Sequence, residues 1–280
     1  MGWDRDAEAL LPSTNKLDHP AYISFGCLPI FYGTERDAYT FYTGQKYLRI
    51  ATFYVVLVGC SLPIIALFMC ITIALLFHFN EATNTHCRVE NVLPSISTVI
   101  GGFPETTFIW SSLIYLHFIP RLLPLLSYHQ TFRLRLNLKS FLKRSLLRSH
   151  LALGFIELAA LLSLTYYNSD YNHEYHVISF SIFGTSSLLY AFAHCLLFKL
   201  TQMDVQSKGH ILSWRMKRRT FSMSVGCLLM CAYLFYRHNT YCEPFVFSVF
   251  AFFEYVFVLS NIAFHSTFRF DFSDCSLYIS

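Results

Sequence analysis

Two short stretches, far apart in the chain, concentrate the side chains that could do chemistry. The first, from His78 to Gly102, holds His78, Glu81, His86, Cys87 and the pair Gly101 and Gly102; the second, RHNTYCE, holds Arg237, His238, Cys242 and Glu243. A histidine near its neutral form can take a proton from a hydroxyl, a carboxylate can orient it, and an arginine can grip a phosphate through two parallel hydrogen bonds. With His86 or His238 as base, Glu81 and Glu243 beside them, and Arg237 and His78 on a headgroup, the parts suit acyl or phospholipid chemistry. The same polar residues would also furnish any loop at a membrane surface. The spacing of His78, Glu81 and His86 matches no strong metal template, so neither a metal nor a cofactor is assigned. The GxSxG, HExxH, CxxC, Walker and His-x4-Asp signatures are absent.

A second set of polar residues falls inside apolar runs. Arg121, Glu157 and Glu254 each interrupt one, with His117 a turn before Arg121, and Asn261 and His265 on the same helical face as Glu254. A charge at such depth costs at least about 2.5 kcal/mol unless paired or wetted, so these side chains are expected to point inward, Arg121 pairing with Glu157 or Glu254. They read either as a substrate-binding cavity for a lipid headgroup or as polar glue between helices. His194 reads as glue.

The elements that must carry these residues follow from composition. Of 280 residues 54% are hydrophobic and 14% charged, with mean hydropathy +0.42, a balance unsuited to a surface facing water on all sides. A net charge of +4 gives no case for a nucleic-acid partner. The apolar residues gather into six runs near 50–78, 106–128, 149–167, 177–200, 220–236 and 242–267, and about 20 helical residues cross a hydrocarbon core of about 30 Å. The expected fold is all-α, a polytopic membrane bundle of six transmembrane helices over 46–268, with a cytosolic tail at 1–45 and a short cytosolic tail at 269–280.

Charge sets the orientation. Twelve of the 21 Lys and Arg residues fall between runs two and three (Arg133, Arg135, Lys139, Lys143, Arg144, Arg148) or between four and five (Lys199, Lys208, Arg215, Lys217, Arg218, Arg219). Such loops stay cytosolic, which puts both termini in the cytosol. Their simplest role is to set topology, with docking of anionic lipid as the alternative. Of nine cysteines, only Cys87 and Cys242 then lie in loops on the opposite side, and in an oxidising lumen they are the natural disulfide pair. No basic leader with a short apolar core opens the chain, so no cleaved signal peptide is expected. Asp6, Leu10 and Leu11 resemble an acidic dileucine sorting signal. The LPSISTVIGG half of the first stretch reads as a lid or re-entrant turn at the lipid rather than as part of the reactive centre.

The strings FHFNEATNTHC, NVLPSISTVIGG, IYLHFIPR and RHNTYCEPFVFSVFAFFEYVFVLSNIAFH resemble the post-GPI attachment to proteins factor 2 family, in order and spacing, from about 46 to 268. That family belongs to a wider six-span group that includes the damage-regulated autophagy modulators, whose branch fits the RHNTYCE segment less well. The resemblance implies a Golgi membrane protein, present also in the endoplasmic reticulum, that is needed when a lyso form of the glycosylphosphatidylinositol (GPI) anchor is re-acylated at sn-2 with a saturated fatty acid. Its partners would be membrane lipid, the lyso-anchor or the GPI-anchored protein, and an acyl donor. Whether the chain is the acyltransferase, or a non-catalytic factor that presents lipid to or escorts a separate acyltransferase, the resemblance leaves open; an autophagy or lipid-asymmetry regulator is a third reading.

Overall fold

The computed structural model describes residues 23–24, 30–35, 48–169 and 172–279. Asp6, Leu10 and Leu11 lie outside them. The chain is a polytopic helical bundle: among the described residues six helices are long and apolar enough to cross a membrane. These are α1 (Thr52–Phe77), α4 (Pro104–Arg135), α5 (Phe141–Tyr166), α6 (His173–Leu200), α7 (Lys208–Tyr241) and α8 (Val246–Ser266), with short helices α2 (Phe79–Thr83), α3 (Ile96–Gly101) and α9 (Phe268–Asp271) between or after them.

The polarity of the bundle is that of a protein in lipid. Phe53, Phe68, Leu76, Phe77, Phe108, Ile119 and Leu229 point outward and exposed, while His117, Glu157, His194, Lys217 and Glu254 are buried. Several helices outrun the apolar runs that announced them. α5 starts at Phe141 rather than near 149, α7 at Lys208 rather than near 220, and α4 continues to Arg135. Hydropathy registers only the part in hydrocarbon, whereas a helix that has already formed continues cheaply into water through Lys and Arg, which are good helix formers. The last span instead starts late, at Val246, because Cys242 and Phe245 take left-handed backbone (φ 50° and 62°) to reverse the chain.

α5 packs along α6, α7 along α8, and α1 along α4, while α6 and α7 touch far less. Gly154 permits the crossing of α4 and α5, since a Cβ there would collide with the Leu125 side chain. Pro63 lies inside α1, and its missing N–H leaves the Gly59 carbonyl without its helical donor. His117 Nδ1 donates to that carbonyl at 2.6 Å.

One feature was not visible in the sequence. Residues flanking the bundle on both sides form a four-stranded antiparallel sheet of β1 (Ile23–Ser24), β2 (Ile30–Gly33), β3 (Leu48–Ala51) and β4 (Ser276–Ile279), in the order β1-β2-β4-β3. β4 lies between β2 and β3, pairing Gly33 and Ala51 with Ser276. Buried Tyr32, Phe132, Phe268 and Phe272 pack beneath it, and Thr52 Oγ1 donates to the Cys275 carbonyl at 2.8 Å. We call this end of the bundle the sheet end and the other the disulfide end.

Candidate functional site

At the disulfide end Cys87 and Cys242 are bonded, with Cα atoms 5.3 Å apart. The bond draws the two chemistry-bearing stretches together. The His86 and His238 rings lie edge to face at 5.4 Å, but they occupy different surroundings. His86 is exposed beside the disulfide. His238 is fully buried, with Nε2 3.1 Å from Thr85 Oγ1 and its ring against Phe247. A His86 ring nitrogen and the two sulfurs are the sole group of three metal-type ligand atoms among the described residues. Both sulfurs are spent on each other.

The remaining residues of these stretches pair off locally. Arg237 forms an ion pair with Glu243, donates to the Tyr233 hydroxyl at 2.9 Å, and lies over the Tyr241 ring. His78 stacks on Phe103 and bonds Glu105 at 2.8 Å, with Glu81 at 3.6 Å.

The mid-bundle residues divide into two places. Arg121 Nη2 meets Glu157 Oε1 at 2.9 Å, Asn261 Nδ2 donates to the same oxygen at 2.8 Å, and His265 Nε2 lies 3.5 Å from it. The cavity beside them, touched also by His117, is about 30 Å³, room for about one water and not for a headgroup. Glu254, on the same helical stripe as Asn261 and His265, does not join this cluster: its Oε2 accepts the Ile96 N–H at 2.8 Å. Two helical turns along α8, about 10 Å, set it that much nearer the disulfide end than Asn261.

That bond positions the main site. The LPSISTVIGG segment re-enters the bundle as α3, with Val99 fully buried and Ile96 and Ile100 nearly so. Ser95 caps it, its Oγ accepting from the Thr98 N–H, and the Glu254 carboxylate holds the first turn, where the helix dipole favours negative charge. This half of the stretch forms the floor of a cavity of about 970 Å³ between α6, α7 and α8.

On that floor Ser97 Oγ lies 2.8 Å from His176 Nε2. His176 Nδ1 lies 2.7 Å from the Tyr167 carbonyl, and Ser169 Oγ donates to the Ser97 carbonyl at 3.1 Å. Glu81, Asn84, His86 and His173 form a polar rim, and Val177, Phe180, Leu228, Phe235, Phe247 and Phe250 an apolar wall. Ser181 and Thr185 on α6, and Ala232 and Phe235 on α7, line the cavity yet are exposed on the outer surface. The cavity therefore opens sideways between α6 and α7, roughly 12–18 Å along α6 from its first residue at 1.5 Å per residue.

Of the residues singled out in the sequence, His86, Glu81 and Glu254 reach this cavity, and His78, Arg237, His238, Glu243, Arg121, His117, Glu157, Asn261 and His265 do not line it. Ser97, Ser169 and His176 were missed. A serine in an apolar loop and a histidine at the mouth of a span carry no motif; the one available signal was that both sit at the boundary where headgroups lie.

Residues 51–275 match the family described as Frag1/DRAM/Sfk1/Cwh43P N-terminal domain. Over 247 residues the chain is 36% identical to a Xenopus tropicalis protein named acyltransferase PGAP2, covering 88% of this chain and 95% of the relative. It is 38% identical over 224 residues to post-GPI attachment to proteins factor 2 of Caenorhabditis elegans, covering 79% and 84%. A Drosophila melanogaster protein named post-GPI attachment to proteins factor 2-like is 33% identical over 220 residues, covering 77% and 67%. No solved structure matches the chain.

Proposed function

Because the chain belongs to the Frag1/DRAM/Sfk1/Cwh43P N-terminal domain family, with relatives named for a step after GPI attachment, we propose that it remodels the lipid of GPI anchors. The reaction is transfer of a saturated acyl chain to the free sn-2 hydroxyl of a lyso-anchor. It takes place in the Golgi membrane, with the disulfide end in the lumen and both termini in the cytosol. The substrates are the lyso-anchor on its protein and an acyl donor.

The observation that carries this reading is the cavity of about 970 Å³. Its size is at the upper end of the roughly 300–1,000 Å³ usual for ligand pockets. A lipid has an apolar tail and a polar head joined at the reacting atoms. The cavity has the matching parts: an apolar wall open to the side, a hydroxyl and an imidazole on its floor, and a polar rim at the membrane boundary. An acyl chain can slide in between α6 and α7 while the inositol phosphate stays near the rim.

The test is a reconstituted one. Purified full-length protein in lipid nanodiscs, given a lyso-anchor and labelled stearoyl-coenzyme A or distearoyl phosphatidylcholine, is expected to yield labelled diacyl anchor. Thr185→Trp and Ala232→Trp, which fill the side opening, are expected to abolish the transfer. Protein that binds the lyso-anchor but transfers nothing from either donor would leave the non-catalytic reading, in which the chain presents the lipid to a separate acyltransferase.

A further inference from the structure

We propose that Ser97 is the nucleophile of this reaction and holds the acyl group as an ester between donor and acceptor, with His176 as its general base. The inference rests on the acyl-transfer reading and adds a covalent intermediate to it.

The hydrogen bonds determine which way the proton can move. The Tyr167 carbonyl can only accept, so the His176 nitrogen 2.7 Å from it, Nδ1, carries the ring proton. That leaves Nε2 with a lone pair, 2.8 Å from Ser97 Oγ. A neutral imidazole held in this tautomer is ready to take the hydroxyl proton, and the carbonyl behind it steadies the imidazolium that results. Here a backbone carbonyl performs the orienting task that a carboxylate performs in a Ser-His-Asp triad.

Other hydroxyls at the cavity lack this arrangement. Ser95 accepts the Thr98 N–H and pairs with the Thr98 hydroxyl at 3.0 Å; Ser169 donates to the Ser97 carbonyl and Ser181 to the Val177 carbonyl. Among the described residues two further hydroxyls lie against an imidazole, Thr85 with His238 and Ser207 with His210, and neither pair lines the cavity. His176 is buried at 4% exposure while Ser97 keeps a partly open face toward the cavity. The base is buried and the nucleophile accessible. Glu254 accepts the Ile96 N–H and also engages the backbone N–H and the side-chain hydroxyl of Ser97, and so acts as a positioning residue for the nucleophile.

The chemistry balances without an oxidant or reductant. Ser97 Oγ attacks the carbonyl carbon of an acyl ester or thioester while its proton passes to His176 Nε2. The bond to the leaving alkoxide or thiolate breaks, that group takes the proton, and an acyl ester remains on Ser97. The sn-2 hydroxyl of the lyso-anchor then gives its proton to Nε2 as its oxygen attacks the ester carbonyl. The carbon–Oγ bond breaks, and Ser97 recovers its proton.

The experiment uses full-length protein in nanodiscs with stearoyl-coenzyme A and with distearoyl phosphatidylcholine as separate donors. With no acceptor present, a covalent intermediate exchanges label between donor and free leaving group, coenzyme A or lysophosphatidylcholine, and mass spectrometry finds a stearoyl ester on the peptide containing Ser97. Adding lyso-anchor should discharge the ester. Ser97→Ala is expected to abolish both signals and to lower transfer by about 10³-fold or more, with His176→Ala comparable, since the two act as a unit. Glu254→Gln should lower transfer less and retain the ester. Should Ser97→Ala fold poorly, the exchange and the ester in the unmodified protein still decide. Transfer by the unmodified protein with no exchange and no ester overturns the inference and leaves the acyl-transfer reading standing. Near-normal transfer by Ser97→Ala does the same. Absence of transfer by the unmodified protein from both donors removes the reading beneath it.

Discussion

The two ends of the bundle both bury polar side chains, and they do so in opposite ways. At the sheet end Lys217 is fully buried. Its ammonium meets Asp271 at 2.5 Å, Ser213 at 2.6 Å and Thr267 at 2.7 Å, while the Tyr128 hydroxyl donates to the same Asp271 oxygen at 2.5 Å. His150 and His194 pack beside this knot among Tyr128, Phe132 and Tyr190. Every proton of the ammonium is spent, while Asp271 Oδ1 is left without a hydrogen-bond partner among the described residues, and Lys217 lines neither of the two cavities described above. At the disulfide end the Ser97 and His176 pair borders about 970 Å³ of open volume. A polar cluster whose charges are paired and that borders no sizeable cavity is structure; a cluster facing accessible space is a candidate for chemistry. The Arg121 and Glu157 cluster, with about 30 Å³ beside it, belongs with the first kind.

This contrast is tested most severely by Lys217→Ala. It leaves the Asp271 carboxylate buried without a cation and is expected to cost about 3–5 kcal/mol, read as a fall in the midpoint of detergent unfolding. Replacing Lys217 and Asp271 together by Met and Leu should recover most of the loss; if Lys217→Ala unfolds normally, the sheet end is not the closed knot it resembles. Next in size, Cys87→Ser or Cys242→Ser is expected to cost about 2–5 kcal/mol. The bond closes a separation of 155 residues, and its loss should slow the protein on a non-reducing gel as well as lower the unfolding midpoint.

His117→Ala is expected to cost about 1–3 kcal/mol by leaving the Gly59 carbonyl unsatisfied. The cost should shrink in a Pro63→Ala background, because an alanine at that position supplies the N–H that proline lacks. Equal costs in the two backgrounds would remove the account of His117 as a repair of the proline break. The smallest change in stability is expected for Thr185→Trp at the side opening of the cavity, within about 0.5 kcal/mol by the same unfolding assay, although this variant should lose acyl transfer. A large stability cost there would mean that the cavity wall is packed core and the comparison between the two ends fails.

Particular residues show how much could be read in advance. Arg121 and Glu157 stood out because a charge in an apolar run needs a partner, and they meet at 2.9 Å. Lys217 was read as one of many basic loop residues, yet it lies inside α7 and fully buried; a lysine in a basic stretch looks the same whether it faces water or an aspartate from the end of the chain. His238 and His86 stood out as candidate bases with carboxylates nearby, but only His86 reaches the cavity. Ser97 and His176 are 79 residues apart, on a re-entrant helix and at the start of a span. Nothing in either neighbourhood specifies the other.

The sequence by itself determined the six helices, through apolar runs that lipid and the backbone's need for internal hydrogen bonds convert into spans. It also narrowed the cysteines to a single pair on one side of the membrane. Tertiary structure alone decided the rest: that β4 slots between β2 and β3 to tie residues before α1 to those after α9, that α3 folds back into the bundle onto Glu254, and that the cavity opens where α6 and α7 part. Hydropathy is a sum over neighbours in the chain, whereas a reactive pair depends on side chains that become neighbours only when distant helices pack.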